Sequence, residues 1–192
     1  MREANQNGQG PPAAAPIARK QDTIWHGGAF DFVCAQESLP NGRKSRYGFI
    51  QHPGSAAIVP LFEDESVVLI HQWRPPIKRS IWEIPAGTLL PGEDPLTCAR
   101  RELEEECGLR GDRFEKIGEV LIAPWYSDEQ IHLYLATGLT SCPSRLDEDE
   151  LLTSHRFSFD QVLSMIERGE IEDATAILAL TRVYRKLRGE VF

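Results

Sequence analysis

Residues 87–109 read GTLLPGEDPLTCARRELEEECGL and join a loop rich in glycine and proline to a strongly acidic segment. Asp94 is a typical N-cap residue, Pro95 suits the first helical position, and Gly108 suits the position that ends a helix. Apolar side chains recur between these limits at helical spacing, at Leu96, Ala99 and Leu103. The stretch therefore predicts a loop followed by a helix with one face in the core.

The same helix carries most of its charge on one side. Because a helix advances about 100° per residue, Glu102, Glu105 and Glu106 fall within an arc of about 100°, whereas Glu104 points elsewhere. Like charges so close together repel each other, and a hard divalent cation such as Mg²⁺ or Mn²⁺ would reverse that cost. Arg101 can balance a neighbouring carboxylate. The acidic face is therefore either a solvated surface or a cation site.

Short apolar segments around this stretch predict β-strands. Asn41-Gly42 lies between the segments 29–34 and 47–51, which is typical of a hairpin. Residues 55–62 and 66–73 read as a second pair of strands, with a turn at 63–65. Further strands are expected at 81–84, 114–122, 130–136 and 155–159, and further helices at 160–168 and 173–187. This mixture predicts an α/β fold.

Residues 87–109 also match the Nudix box, G-x5-E-x7-R-E-U-x-E-E-x-G-U, where U is a large aliphatic residue. The specified positions are occupied by Gly87, Glu93, Arg101, Glu102, Leu103, Glu105, Glu106, Gly108 and Leu109. The chain thus resembles the Nudix hydrolases, which cleave nucleoside diphosphates linked to another moiety. The resemblance implies an α/β/α sandwich in which the box forms a loop, a helix and a loop, together with a small N-terminal β-strand region.

The resemblance further implies roles for the residues of the box. Mg²⁺, or alternatively Mn²⁺, would be held by Glu102 and Glu106, with help from Glu105 and the backbone carbonyl of Ala86. Arg101 and Glu105 would belong to the catalytic group, and Gly87 would lie against the substrate. Glu93 would support the loop and could join a metal shell through water.

Segments outside the box are similar to ADP-ribose pyrophosphatases and other nucleotide-sugar hydrolases. These segments are QWRPP at residues 72–76, WEIPAG at 82–87 and APWYSDEQIHLYLA at 123–136, where Trp125 replaces a usual glycine. The similarity implies substrate contacts by Arg74, Glu83, Glu129 and two base-stacking aromatic residues, Phe30 and Tyr47. The alternatives are a surface cation for Arg74, a polar strand face for Glu83 and core packing for Phe30.

A catalytic carboxylate is expected in the acidic segment 147–150, DEDE, which is alternatively a solvated loop. Aligning the C-terminal part without a gap favours Glu148, and a shift of one or two residues selects Glu150. The expected reaction is Mg²⁺-dependent hydrolysis of ADP-ribose to AMP and ribose 5-phosphate. GDP-mannose or another nucleotide sugar is the nearest alternative substrate. A non-catalytic sensor of nucleotide sugars is an alternative of another class.

The charge balance also constrains function. The 192 residues carry a net charge of −8, which argues against a protein that binds a nucleic-acid backbone. Residues 87–109 hold six acidic and two basic residues, residues 147–150 are all acidic, and the charges elsewhere cancel. The whole excess therefore lies in the two segments expected to bind a cation and accept a proton.

The remaining expectations concern organisation and location. No apolar run approaches the about 18 residues of a membrane span, and four cysteines without metal-ligand spacing predict reduced thiols in the cytoplasm. Residues 1–20 are expected to be a flexible tail, 21–54 an N-terminal β region and 55–192 the hydrolase domain. The family resemblance implies a homodimer formed through the N-terminal strands.

Overall fold

The computed structural model describes residues 20–146 and 151–190, which form ten strands and three helices. In chain order these are β1 (Lys20–His26), β2 (Asp31–Ser38), β3 (Lys44–Gln51), β4 (Ser55–Pro60), β5 (Ser66–Arg74), β6 (Arg79–Glu83), β7 (Ala86–Thr88), α1 (Pro95–Cys107), β8 (Leu109–Leu121), β9 (Gln130–Ser141), β10 (Leu152–Ser158), α2 (Phe159–Glu167) and α3 (Ala174–Leu187). None of these helices is long and apolar enough to cross a membrane.

The strands form three sheets. Their orders are β1-β2-β3, β10-β5-β6 and β7-β4-β9-β8, and only the β4-β9 pair is parallel among these neighbours. The predicted hairpin is confirmed as β2-β3, with Gly42 at a φ of 79° in the turn. Strand β1 was not predicted, because its residues are exposed on both faces and therefore show no apolar alternation.

The two strands that were predicted as a second pair both exist, but they belong to different sheets. The turn between them forms, since the Phe62 N–H donates to the Ser66 carbonyl over 2.9 Å. Only the isolated bridge between Leu61 and Val67 then joins the two segments. Every residue of β4 is buried, and β5 is buried over its first five residues. Strands without an exposed face take interior positions, so each is flanked by other strands on both sides.

Alternation along β4 divides the core into two layers. Ala56 and Ile58 pack with Leu103 of α1, whereas Ala57 and Val59 pack against α2 and α3 on the other side. The two sheets that contain β4 and β5 therefore lie between α1 and the α2-α3 pair. The predicted α/β/α sandwich is confirmed.

The helix boundaries follow capping chemistry. Asp94 accepts hydrogen bonds from the backbone of Leu96 and Thr97, and Gly108 ends α1 at a φ of 60°. The chain continues directly into β8, which begins five residues before the predicted strand. Phe159 was expected in a strand but begins α2, because Ser158 before it and Gln161 after it form a capping box.

Candidate active site

The acidic face of α1 borders a cleft of about 1210 Å³. The loop that follows β7 forms one wall, and the ends of β5 and β6, the start of β4 and the start of α3 form the others. The turn between β1 and β2 reaches the rim through Gly28 and Ala29. Residues from distant parts of the chain therefore meet around one carboxylate-rich helix.

Glu102 and Glu106 lie one helical turn apart and both line this cleft. Their exposed fractions are only 6% and 3%, which is unusual for carboxylates. The Ala86 N–H donates to Glu106 Oε2 over 2.9 Å. At Gly87, an added Cβ would lie 1.7 Å from Glu102 Oε1. Strand β7 therefore packs its backbone directly against the two carboxylates.

Arg101 connects three of the box carboxylates. Its Nε and Nη2 donate to the two oxygens of Glu93, each over 3.0 Å. Its Nη1 donates to Glu102 Oε1 over 2.6 Å and to Glu105 Oε2 over 2.9 Å. These bonds raise the pKa of Arg101, Glu93 contributing most, and the same contact lowers the pKa of Glu93. Arg101 therefore balances the charge of the acidic face and orients it.

The donors at this face suit a hard divalent cation. Glu102 and Glu106 supply carboxylate oxygens that face the cleft, as Mg²⁺ and Mn²⁺ require. Among the described residues, no group of three or more acidic, histidine or cysteine side chains is arranged to hold a metal ion. The third predicted carboxylate, Glu105, is turned to Arg101. The residues fit such an ion chemically, with Glu102 and Glu106 as the central pair.

Arg74 and Glu83 form a second charged pair at the cleft. The Arg74 Nε and Nη2 donate to the two Glu83 oxygens over 2.8 and 2.5 Å, and Glu83 is buried. This bidentate contact raises the pKa of Arg74. Arg74 is therefore not a free surface cation, and Glu83 is not simply the polar face of a strand.

The start of β4 supports Glu129 on the far wall. The Ser55 hydroxyl donates to Glu129 Oε1 over 2.8 Å, and His52 Nδ1 lies 3.8 Å from the same oxygen. His52 Nδ1 also accepts from the Gly54 N–H over 3.1 Å. All three side chains line the cleft, and a contact of Glu129 with substrate stays a prediction.

The Nudix domain model matches residues 51–180, which include the elements around the cleft except β1, β2, most of β3 and the second half of α3. The chain belongs to the Nudix family. It is 36% identical to the methanol dehydrogenase activator of Bacillus methanolicus over 84% of this chain and 88% of that protein. It is 34% identical to the ADP-ribose pyrophosphatase of Bacillus subtilis (strain 168) over 85% of this chain and 89% of that protein.

A solved structure shares the fold of this Nudix chain. The crystal structure of an ADP compounds hydrolase superposes with a TM-score of 0.76 and covers 93% of this chain and 98% of its own. The two sequences are 20% identical, so the likeness concerns the fold.

Several cleft residues of this Nudix chain were not predicted from the sequence. They are His52, Ser55, Gln72, Asp173 and Thr175. Asp173 was predicted to begin the last helix and does cap α3, but it also lies in the cleft, where burial raises its pKa. Gln72 had a sequence signal, because it belongs to the segment QWRPP, which is similar to nucleotide-sugar hydrolases. The others had none that spacing alone could reveal.

The predicted base-stacking aromatic residues lie apart from each other. Phe30 follows the rim residues Gly28 and Ala29, and its ring contacts Trp25 with centroids 5.6 Å apart. Tyr47 packs in the small cluster between β2 and β3, and its hydroxyl donates to Glu37 over 2.5 Å. Tyr47 is not among the residues that line the cleft, so its role in base stacking stays a prediction.

The predicted catalytic carboxylates, Glu148 and Glu150, lie outside the described residues. The residues on both sides of them are described. The Ser144 hydroxyl donates to the Glu105 carbonyl over 2.7 Å, and Leu151 lines the cleft while its carbonyl accepts from the Trp73 N–H. Described residues before and after the segment therefore contact α1 or line the cleft.

Proposed function

We propose that this protein hydrolyses the pyrophosphate bond of a nucleoside diphosphate sugar, with ADP-ribose cleaved to AMP and ribose 5-phosphate. The observation that carries the proposal is the buried pair Glu102 and Glu106 at the floor of the cleft, held against the backbone of Ala86 and Gly87. The ADP-ribose pyrophosphatase of Bacillus subtilis, which aligns over most of this chain, supports the choice of substrate.

We propose Mg²⁺ as the cofactor, with Mn²⁺ as the alternative. Glu102 and Glu106 would hold it, with Glu105 and the carbonyl of Ala86 as the further ligands. When bound, such an ion neutralises a diphosphate and activates water at phosphorus. Arg101 would keep Glu102 in position through its 2.6 Å hydrogen bond while Glu93 anchors the other side of the guanidinium.

The substrate would then be held by residues of the surrounding walls. Arg74, kept extended by Glu83, would contact the diphosphate, and Glu129 would accept hydrogen bonds from a sugar. Glu148 or Glu150 would take the proton of the attacking water, directly or through a box glutamate. Positioning would supply most of the rate, because little covalent chemistry is required of the protein in transfers at phosphorus.

The test compares two substitutions on α1. Glu106→Gln should keep the fold and reduce Mg²⁺-dependent AMP release from ADP-ribose by orders of magnitude. Glu104→Gln is the matched control, because Glu104 lies outside the cleft and pairs with the exposed Arg110. Full activity of Glu106→Gln with Mg²⁺ would refute the metal assignment.

Assays of the wild-type protein distinguish the proposed function from the two alternatives, a nucleotide-sugar sensor and a GDP-mannose hydrolase. A nucleotide-sugar sensor would bind ADP-ribose without releasing AMP. If GDP-mannose is the main substrate, its kcat/KM will exceed that of ADP-ribose under the same conditions. The complete set of box carboxylates favours the enzyme, because a binding protein has no need of a buried acidic pair.

We also propose a cytoplasmic homodimer in which residues 21–54 connect the two copies and residues 55–192 form the hydrolase domain. Strands β1, β2 and β3 have a sheet of their own. This sheet and the turn between β1 and β2 expose four large apolar residues: Ile24, Trp25, Phe30 and Phe32. Exposed apolar faces of this kind are typical of interaction sites. The four free cysteines require no oxidising compartment. Sedimentation of a stable monomer would contradict the dimer.

A further inference from the structure

Gln72 lies where strand β5 passes from the hydrophobic core into the cleft. Val68 points towards α1 and packs in the layer that includes Leu103. Because side chains alternate along a strand, Gln72 and Arg74 point to the same side as Val68. Both line the cleft. The strand therefore presents an amide and a guanidinium side by side to whatever occupies the site.

The carboxamide of Gln72 lacks a partner for its oxygen. The residue is only 8% exposed, and Oε1 makes no hydrogen bond. Within residues 20–146 and 151–190 it is the one buried side-chain nitrogen or oxygen atom without a hydrogen-bond partner. A buried acceptor without a donor destabilises the folded protein, and the large majority of buried polar atoms in proteins avoid it. Because Gln72 lines a cleft, its donor can come from water or from a ligand that displaces this water.

The backbone around Gln72 cannot shift to provide one. The residue pairs with Leu152 of β10 on one side and with Ile81 of β6 on the other. The next residue, Trp73, donates its N–H to the Leu151 carbonyl over 2.9 Å. Strand pairing on both sides therefore holds the backbone in place, so only a rotation of the side chain brings Oε1 to a donor in the cleft.

The chemistry of the substrate restricts what the donor can be. This step rests on the proposed function. The oxygens of an ionised diphosphate only accept hydrogen bonds, so they cannot satisfy Oε1. Hydroxyl groups of a sugar and the amino group of adenine can donate a hydrogen bond to Oε1. The sugar is attached directly to the phosphate that Arg74 would contact, and Arg74 is only two residues away on the same face of the strand.

We propose that Gln72 is a substrate-binding residue whose Oε1 accepts a hydrogen bond from a sugar hydroxyl of the nucleotide sugar. The residue thereby favours substrates with a hydroxyl at that place over analogues without one. A site built to bond a hydroxyl rejects analogues that lack it, because its buried polar atom then stays unpaired.

The test replaces Gln72 by methionine, which has a similar length and no strong acceptor. Removing a polar atom without a partner should leave the melting temperature unchanged or raise it. At the same time kcat/KM for ADP-ribose should fall about 5- to 10-fold, mainly through a higher KM. Thr140→Met, at an exposed position of β9 away from the residues that line the cleft, is the control and should change neither quantity.

A comparison of two substrates distinguishes a sugar hydroxyl from the adenine amino group as the donor. Inosine diphosphate ribose carries a carbonyl where adenine carries the amino group. An equal loss on both substrates supports the sugar hydroxyl, whereas a loss confined to ADP-ribose assigns the donor to the base and overturns the proposal. An unchanged kcat/KM, or a loss that accompanies a lower melting temperature, also overturns it.

The proposed function is tested separately by the wild-type protein. If wild-type protein releases no AMP from ADP-ribose, that substrate is wrong. The ratio of Gln72→Met to wild type is then measured on the nucleotide sugar that the wild type cleaves fastest.

Discussion

Replacing Gly87 by alanine would place a methyl group where the Glu102 carboxylate lies. The Cβ would be 1.7 Å from Glu102 Oε1 and 2.1 Å from its Cδ. Gly87 is not among the glycines with a positive φ, so the backbone itself accepts alanine. The substitution therefore acts on the carboxylate and not on the conformation of β7.

The size of the effect follows from that overlap. An ordinary contact begins at 3.4 Å, so the distance between Glu102 Oε1 and the new methyl group must increase by about 1.7 Å. A displacement of about 1 Å in a catalytic group can reduce a rate about 100-fold, which corresponds to about 2.7 kcal/mol in the barrier. We expect kcat to fall at least about 100-fold. Arg101 must move too, because its Nη1 donates to the same oxygen.

The assay measures AMP release from ADP-ribose at saturating Mg²⁺, together with the melting temperature. Gly111→Ala is the matched control: its Cβ would meet Phe114 at 3.1 Å, a contact that a small side-chain shift relieves. Gly111 lies in β8, away from the residues that line the cleft. The control should keep wild-type kcat.

A double substitution tests the reasoning directly. If Gly87→Ala acts by displacing Glu102, it should have little further effect in a Glu102→Gln background, because the two substitutions remove the same interaction. Additive losses, or a Gly87→Ala protein with wild-type kcat, would refute the explanation.

Three further predictions concern charge and capping. Arg101→Lys keeps the charge but loses the two parallel bonds to Glu93, so kcat should fall about tenfold or more. Asp94→Ala removes the N-cap of α1 and should cost about 1 kcal/mol, which lowers the melting temperature by about 2–4 °C. Asp64 has a pKa lowered to about 2, chiefly by its bonds to Ser66 and also by Arg156. Its contribution to stability is thus present above the ordinary value of 3.8 and lost as the pH falls towards 2, so the melting-temperature difference between wild type and Asp64→Asn should shrink over that interval.

Each of these has a clear opposing result. Wild-type kcat in Arg101→Lys would mean that charge alone orients the acidic face. Asp94→Asn should restore the melting temperature because asparagine also caps helices, and failure to do so would remove the capping explanation. A melting-temperature difference at Asp64 that is as large at pH 2 as at pH 4 would contradict a role for its ionised form.

The sequence was most informative where structure depends on neighbours along the chain. Helix α1 was predicted with both ends, because the cap at Asp94 and the left-handed Gly108 are local features. The grouping of Glu102 and Glu106 followed from the helical period alone. The hairpin at Gly42 was likewise specified by its own turn.

Pairing between strands was less accessible. Strands β4 and β5 are adjacent in the chain and similar in composition, yet β4 pairs with β7 and β9 while β5 pairs with β6 and β10. A strand that is apolar on both faces can satisfy its hydrogen bonds with many partners. The choice depends on the packing of both layers at once, and that information is spread over the whole chain.

By itself, the sequence determined the family, the helix that carries the carboxylates and the chemistry that these side chains can perform. Only the tertiary structure decided what faces them: the backbone of Gly87 against Glu102, the pairing of Arg74 with Glu83, and the unpaired oxygen of Gln72. The physical reason is the distance along the chain over which each kind of interaction acts. Helical spacing and capping act over a few residues, whereas a cleft forms where strands distant in sequence end side by side.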